Sequence, residues 1–123
     1  MEFNELKPIY KQIIDSMCER VLNSTWQEES RVPSVREIAA ELGVNPNTVM
    51  RAYEFLLNND IIYNKRGIGN FVCTNARTKV MKMRKDEFIN TQLPSFFKHI
   101  EMLEISWNEI TELYNNQKNN HTT

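Results

Sequence analysis

Glycine is scarce in this chain. Only three occur, at positions 43, 67 and 69, and none belongs to a phosphate-cradling loop. There is no G-x-S-x-G, no H-E-x-x-H and no Cys/His pair at catalytic spacing. The two cysteines, Cys18 and Cys73, and the two histidines, His99 and His121, fall at no zinc-ligand spacing. Each cysteine lies in an apolar stretch and is expected as a buried free thiol, a disulfide being disfavoured in a reducing compartment. No catalytic residue, cofactor or metal site is therefore expected.

Long apolar runs are also missing. No segment approaches the roughly 20 residues of a membrane span, so no membrane partner is expected. The opening Met1-Glu2-Phe3-Asn4-Glu5 has neither a positive n-region nor a hydrophobic run. It is not expected to be a signal peptide, and the expected location is cytoplasmic. Nor is there a charge of one sign. Fifteen Lys and Arg meet sixteen Asp and Glu, so bulk charge does not point to nucleic acid. Distribution does: the first 75 residues hold eight cations, five of which (Arg31, Arg36, Arg51, Lys65, Arg66) lie between positions 31 and 66.

What is present is an ordered series of helix signals. Pro8 to Leu22 carries an apolar stripe at Ile9, Tyr10, Ile13, Ile14, Met17, Val21 and Leu22, and Pro8 suits a first-turn position. Trp26 is expected to cover the edge of the core. Ser34 and Glu37 form a capping box, in which the hydroxyl and the carboxylate each satisfy a free backbone N–H. Val35, Ile38, Ala39 and Leu42 then face inward, and Gly43 ends the helix in the left-handed conformation. Asn45 caps the next helix, with Pro46 at its first position. Val49, Ala52, Tyr53, Leu56 and Leu57 form its inner stripe. At 100° per residue Asn47, Arg51 and Asn58 fall opposite, with Thr48 on the flank. Ile61 to Asn64 and Ile68 to Cys73 are β-rich, with Lys65-Arg66-Gly67 as the turn between them.

Beyond Cys73 the character changes. Thr74 to Leu93 is polar and helix-prone, opening with the basic run Arg77 to Lys85, and Pro94 is expected to break it. Phe96, Phe97, Ile100 and Leu103 form one short apolar stripe, and Trp107, Ile110, Leu113 and Tyr114 another. These eight are expected to bury themselves against a second copy of the chain, because three short helices cannot bury such stripes alone. The fold class expected is mainly α with a small β-hairpin. It divides into a winged helix-turn-helix over 1–75, a helical dimerisation region over 76–117, and a disordered tail over 118–123.

That layout is a device for placing one helix in the DNA major groove. Asn47, Thr48 and Arg51 are candidates to reach DNA, because Asn pairs bidentately with adenine and Arg with guanine. The plainer alternative is a solvated face with Arg51 paired to Glu54. Arg36, in the first turn of the preceding helix, is placed to meet the phosphate backbone; a pair with Glu37 or Glu41 is its alternative. Lys65, Arg66 and Gly67 read as a wing tip, two cations for phosphate or minor groove and a glycine to turn the chain, or as a hydrophilic hairpin turn. The run Arg77 to Lys85 reads first as a solvated helix face. Near-neutral charge keeps a second class open, a winged-helix protein-interaction module without specific DNA binding.

The segments P-I-Y-K-Q-I at 8–13, V-P-S-V-R-E-I-A-A-E-L-G-V-N-P-N-T-V at 32–49, R-A-Y at 51–53 and G-I-G-N-F-V at 67–72 together resemble the GntR family of bacterial transcription regulators, within it the short YtrA-like subfamily. The resemblance implies a homodimer reading an inverted repeat in a double-stranded DNA operator, typically as a repressor of its own operon. It places Ser34, Arg36, Asn47, Thr48, Arg51 and Gly67 where the family contacts DNA. Val32 stands where the family usually has Leu, Met50 where many members have Arg, and Ile68 at a wing position that is often basic. Base preference is therefore not carried over. The aminotransferase segment of the fused branch is absent, so its cofactor chemistry does not transfer. A small-molecule effector, of unknown identity, is expected only between subunits, since so short an appendage cannot enclose a pocket of about 300 Å³.

Overall fold

The computed structural model describes residues 6–121. The expectation for the first five residues, and the end of the expected tail at Thr122 and Thr123, lie outside the described residues. The chain divides into two units, one running to Met83 and one from Arg84 onward.

In the first unit, helix α1 (Ile9–Leu22) begins at Pro8, whose carbonyl accepts from Lys11 and Gln12 N–H at 3.1 and 3.2 Å. Pro8 is thus the cap rather than the first helical residue. Helix α2 (Val35–Leu42) opens with the capping box in full: the Glu37 N–H donates to Ser34 Oγ at 3.1 Å, and the Ser34 N–H donates to Glu37 Oε1 at 3.3 Å. It closes on Gly43 at φ +68°, with the Val44 N–H reaching back to the Ala39 carbonyl at 3.0 Å. One residue later Asn45 caps helix α3 (Pro46–Asn58), its Oδ1 accepting from the Asn47 N–H at 2.8 Å. Two caps separated by a single residue leave little freedom, and α3 packs against both α1 and α2.

Strands β1 (Ile62–Lys65) and β2 (Gly69–Val72) pair antiparallel, with Tyr63 opposite Phe71 and Lys65 opposite Gly69. The Ile68 N–H closes the turn onto the Lys65 carbonyl at 2.9 Å. Gly67 sits third in that turn at φ +78° while Arg66 stays out of the left-handed region, the pattern of a type II turn. A third chain segment joins this sheet. Arg31 bridges Phe71, the Val32 N–H donates to the Asn70 carbonyl and the Val72 N–H donates to Ser30. This edge was not apparent in the sequence, because two residues flanked by Ser30 and Pro33 are too short to show alternation.

The core is built from Ile13, Met17, Cys18 and Val21 of α1, Ile38 of α2, Val49, Ala52, Tyr53 and Leu56 of α3, and Ile61, Ile62 and Val72 of the hairpin. Trp26 and Val32 are buried at its edge. Cys18 is buried and Cys73 half-buried, both as free thiols. Helix α4 (Ala76–Glu87) begins inside this core through Ala76 and Val80. The first unit therefore runs past residue 75, where the sequence changes character, because Ala76 and Val80, one helical turn apart, are buried in its core.

In the second unit the chain passes from α4 through a π-helical turn (Phe88–Gln92) into helix α5 (Leu93–Met102). Pro94 does not break the chain as expected. It lies in the first turn of α5, where a missing N–H costs least, and the wider turn before it relieves the ring's clash with the preceding carbonyls. Glu104 at φ +56° ends the connection, and Ser106 caps helix α6 (Trp107–His121) by accepting from the Glu109 N–H at 3.1 Å. The helix runs to His121, through most of the segment 118–123 expected to lack structure, since extending a capped helix costs far less than starting one. No described residue of this unit is fully buried.

Candidate nucleic-acid interface

At the N-terminal end of α3, Asn47 and Arg51 are exposed and Thr48 half-exposed. Val49, Ala52, Tyr53 and Leu56 are buried on the opposite side. The outer face therefore follows from the helical period and from anchoring at Tyr53. That phenol is buried and donates to the Pro33 carbonyl, which ties α3 to the entry of α2. Burial pushes the Tyr53 hydroxyl well above its ordinary range, so it remains a donor.

The side chains on this face have hydrogen-bonding capacity to spare. Among the described residues none accepts a hydrogen bond or forms an ion pair with the side chains of Arg36, Asn47, Thr48, Arg51 or Arg66. The pairs Arg36 with Glu37 or Glu41, and Arg51 with Glu54, do not form. Glu41 is taken by Arg20 at 2.9 Å, and the Glu37 carboxylate is held by the Ser34 N–H. Other cations of the first unit are engaged: Lys7 with Asp15, Arg77 with the Leu22 carbonyl and Lys79 with the Asp60 carbonyl. Four of the acids that make the net charge unpromising, Asp15, Glu29, Glu37 and Glu41, thus have partners other than the cations of α3 and the wing tip. Ser34 uses its oxygen as an acceptor in the cap, which leaves its O–H free to donate.

Arg51 does have a neighbour, the ring of Tyr10 on α1, whose centroid lies 3.7 Å from the guanidinium carbon. Sequence reasoning placed Tyr10 in the apolar stripe and missed this role. Tyr10 lies in the first turn of α1 and is half-buried, and its contact with a residue 41 positions away left no local signal in the sequence.

At the hairpin, Lys65, Arg66 and Gly67 are all exposed. Tyr63 and Phe71 stack across the strands at 5.9 Å, and Lys65 Nζ lies 4.3 Å above Phe71. Alternation along β1 puts residues 63 and 65 on one face, so this platform was in principle legible. Arg31 also escaped the sequence reading as a site residue. A Cβ at Gly69 would stand 3.1 Å from Arg31 Nε, so the absence of a side chain there lets the guanidinium lie along the hairpin. Glu29 secures the base of the hairpin by accepting from the Thr74 and Tyr63 hydroxyls.

A short turn between two capped helices, the second outward-facing and followed by a basic-tipped hairpin, is the architecture of a winged helix-turn-helix DNA-binding protein. Comparison with known proteins narrows this further. Residues 9–72 match the family model described as bacterial regulatory proteins, gntR family. The chain is 32% identical to the HTH-type transcriptional regulator YhcF of Bacillus subtilis, over 90% of each protein. It is 35% identical to the HTH-type transcriptional repressor YtrA of the same organism, over 77% of this chain and 76% of that one. A crystal structure of a GntR-family regulator from Bacteroides thetaiotaomicron superposes with a TM-score of 0.81 at 42% identity, covering 93% of this chain and 99% of that one.

This chain belongs to the GntR family of DNA-binding transcriptional regulators. That membership, and not the near-neutral charge, decides against the protein-interaction module and against an enzyme.

Proposed function

We propose that the chain is a repressor that binds an inverted-repeat operator as a homodimer. Asn47 and Arg51 select bases in the major groove, and Thr48, Ser34 and Arg36 fix the register on the phosphates. The Lys65-Arg66-Gly67 turn meets the minor groove or its flanking phosphates. The observation that carries this reading is the exposed face of α3, whose donors no described residue accepts. The repressor role is supported by the name of the Bacillus subtilis relative YtrA.

Dimerisation is assigned to Phe96, Phe97, Ile100, Leu103, Trp107, Ile110, Leu113 and Tyr114. Its support is the lack of a core in the second unit: Trp107 is 60% exposed and Leu103 61%, while Phe97 packs edge-on to Trp107 at 6.5 Å. Apolar surface of that extent on the two helices α5 and α6 is stabilised when a second copy covers it. An effector, where one acts, binds between subunits and alters the spacing of the two α3 helices.

Footprinting on DNA upstream of the gene tests this directly. Two protected half-sites centred about one helical turn, roughly 34–36 Å, apart are expected. Pairing Phe97→Asp with Leu103→Asp should give a monomer by sedimentation that protects neither half-site at the same concentration. A dimer that persists in that variant overturns the assignment of the second unit. A reporter silenced equally by wild type and Arg51→Ala overturns operator-dependent repression.

A further inference from the structure

The segment P-I-Y-K-Q-I has no part in the DNA contacts proposed above, yet its tyrosine lies directly beneath the cation expected to read a base. Tyr10 comes from α1, is half-buried against the core, and faces Arg51 at 3.7 Å. We propose that Tyr10 is a positioning residue for sequence readout: its ring holds the Arg51 guanidinium by the face so that the N–H edge is presented to a guanine. The inference rests on the proposed base-reading role of Arg51.

The geometry supports a division of labour within one planar group. A guanidinium interacts with an aromatic ring through its face and with guanine O6 and N7 through its edge. The two contacts use different parts of the cation and do not compete. A free arginine on a helix surface samples many rotamers and must surrender them on binding, whereas one stacked on a buried-edge ring has surrendered most of them in advance. No hydrogen bond or ion pair from any described residue diverts the edge. Tyr10 itself is held by backbone: Pro8 caps α1, and the neighbouring Gln12 donates from Nε2 to the Lys7 carbonyl at 2.7 Å, fixing the first turn.

The test separates a π-face from a filler of the same shape. Operator affinity and discrimination against a single substituted base pair are measured for wild type, Tyr10→Phe, and proteins carrying mono-, di- and trifluorophenylalanine at position 10. Tyr10→Phe should behave as wild type. Fluorination empties the ring face while nearly conserving shape, so discrimination at one base pair should fall stepwise. The total fall expected is about 2- to 30-fold, the range of a cation–π contact. Affinity for a scrambled duplex should not change. The same series in an Arg51→Ala background should be flat.

If the fluorinated series is flat with Arg51 in place while Arg51→Ala still relaxes a base position, Tyr10 only packs and the inference fails alone. If Arg51→Ala leaves discrimination unchanged, the base-reading role falls and takes the inference with it. Tyr10→Leu, checked by thermal melting, adds the limit of complete ring loss.

Discussion

The guanidinium carbon of Arg51 stands 3.7 Å from the centroid of the Tyr10 ring, so an outward cation on α3 is braced by α1. The two helices also pack against each other through the core. The orientation of the reading edge is therefore set by the same contacts that fold the unit. Lysine cannot reproduce it. It has no planar fork for bidentate pairing and stacks poorly on a ring. Arg51→Lys should cost about 1–3 kcal/mol of discrimination at one base pair. Non-specific affinity at low salt should be unchanged, because the charge remains. Fluorescence anisotropy on operator and scrambled duplexes measures both; an equal loss on the two contradicts a base-reading role.

The angle between α2 and α3 rests on one backbone conformation. Gly43 has φ +68°, and a Cβ placed there would meet nothing within 4 Å. Any penalty for a side chain is thus conformational rather than steric. Gly43→Ala should destabilise the fold by about 1–2 kcal/mol in urea unfolding, and Gly43→Asn by less, since Asn tolerates the left-handed region. Equal cost for the two would mean that something other than φ is limiting.

Much of this was legible in the sequence because it is local. The capping box at Ser34 and Glu37, the turn at Gly43 and the cap at Asn45 are each defined within four residues, and all three form as expected. The outer face of α3 was legible from the helical period, and Tyr53 anchors it. Contacts between distant segments were not legible. Tyr10 under Arg51, Arg31 along Gly69, and the third strand-like segment at Ser30 to Val32 each join elements far apart in the chain. Pro94 misled for a different reason: proline forbids a helix interior, yet a π-turn moves it into a first turn. The split at residue 75 followed composition, whereas Ala76 and Val80 follow packing.

Glu29 offers a pH handle on the hairpin. Its carboxylate accepts first from the Thr74 hydroxyl and next from that of Tyr63, and both bonds hold the carboxyl below the ordinary glutamate range. A depressed folded-state value means the stabilisation is present above the unfolded value, roughly pH 4.3. It is then lost as pH falls through the folded value. The stability difference between wild type and Glu29→Gln should therefore be greatest near neutrality and shrink from roughly pH 5 downward. Urea unfolding at several pH values tests this. A difference that stays constant across that span would assign the effect to shape rather than charge.

Ile68 concerns the reach of the wing. It is 59% exposed beside Arg66 and Gly67, an apolar side chain at a basic tip. Ile68 belongs neither to the core nor to the apolar residues packed against it. If the tip lies against phosphates, replacing this side chain with a cation adds one counterion released per wing on binding. Ile68→Lys should then strengthen operator binding at low salt. It should also steepen the slope of log affinity against log salt by about 0.9 per wing. Scrambled DNA should show the same gain, because a phosphate contact carries no sequence information. A gain confined to the operator would place position 68 at a base edge. An unchanged slope would mean that the hairpin tip stands clear of the duplex, leaving α2 and α3 as the whole of the contact.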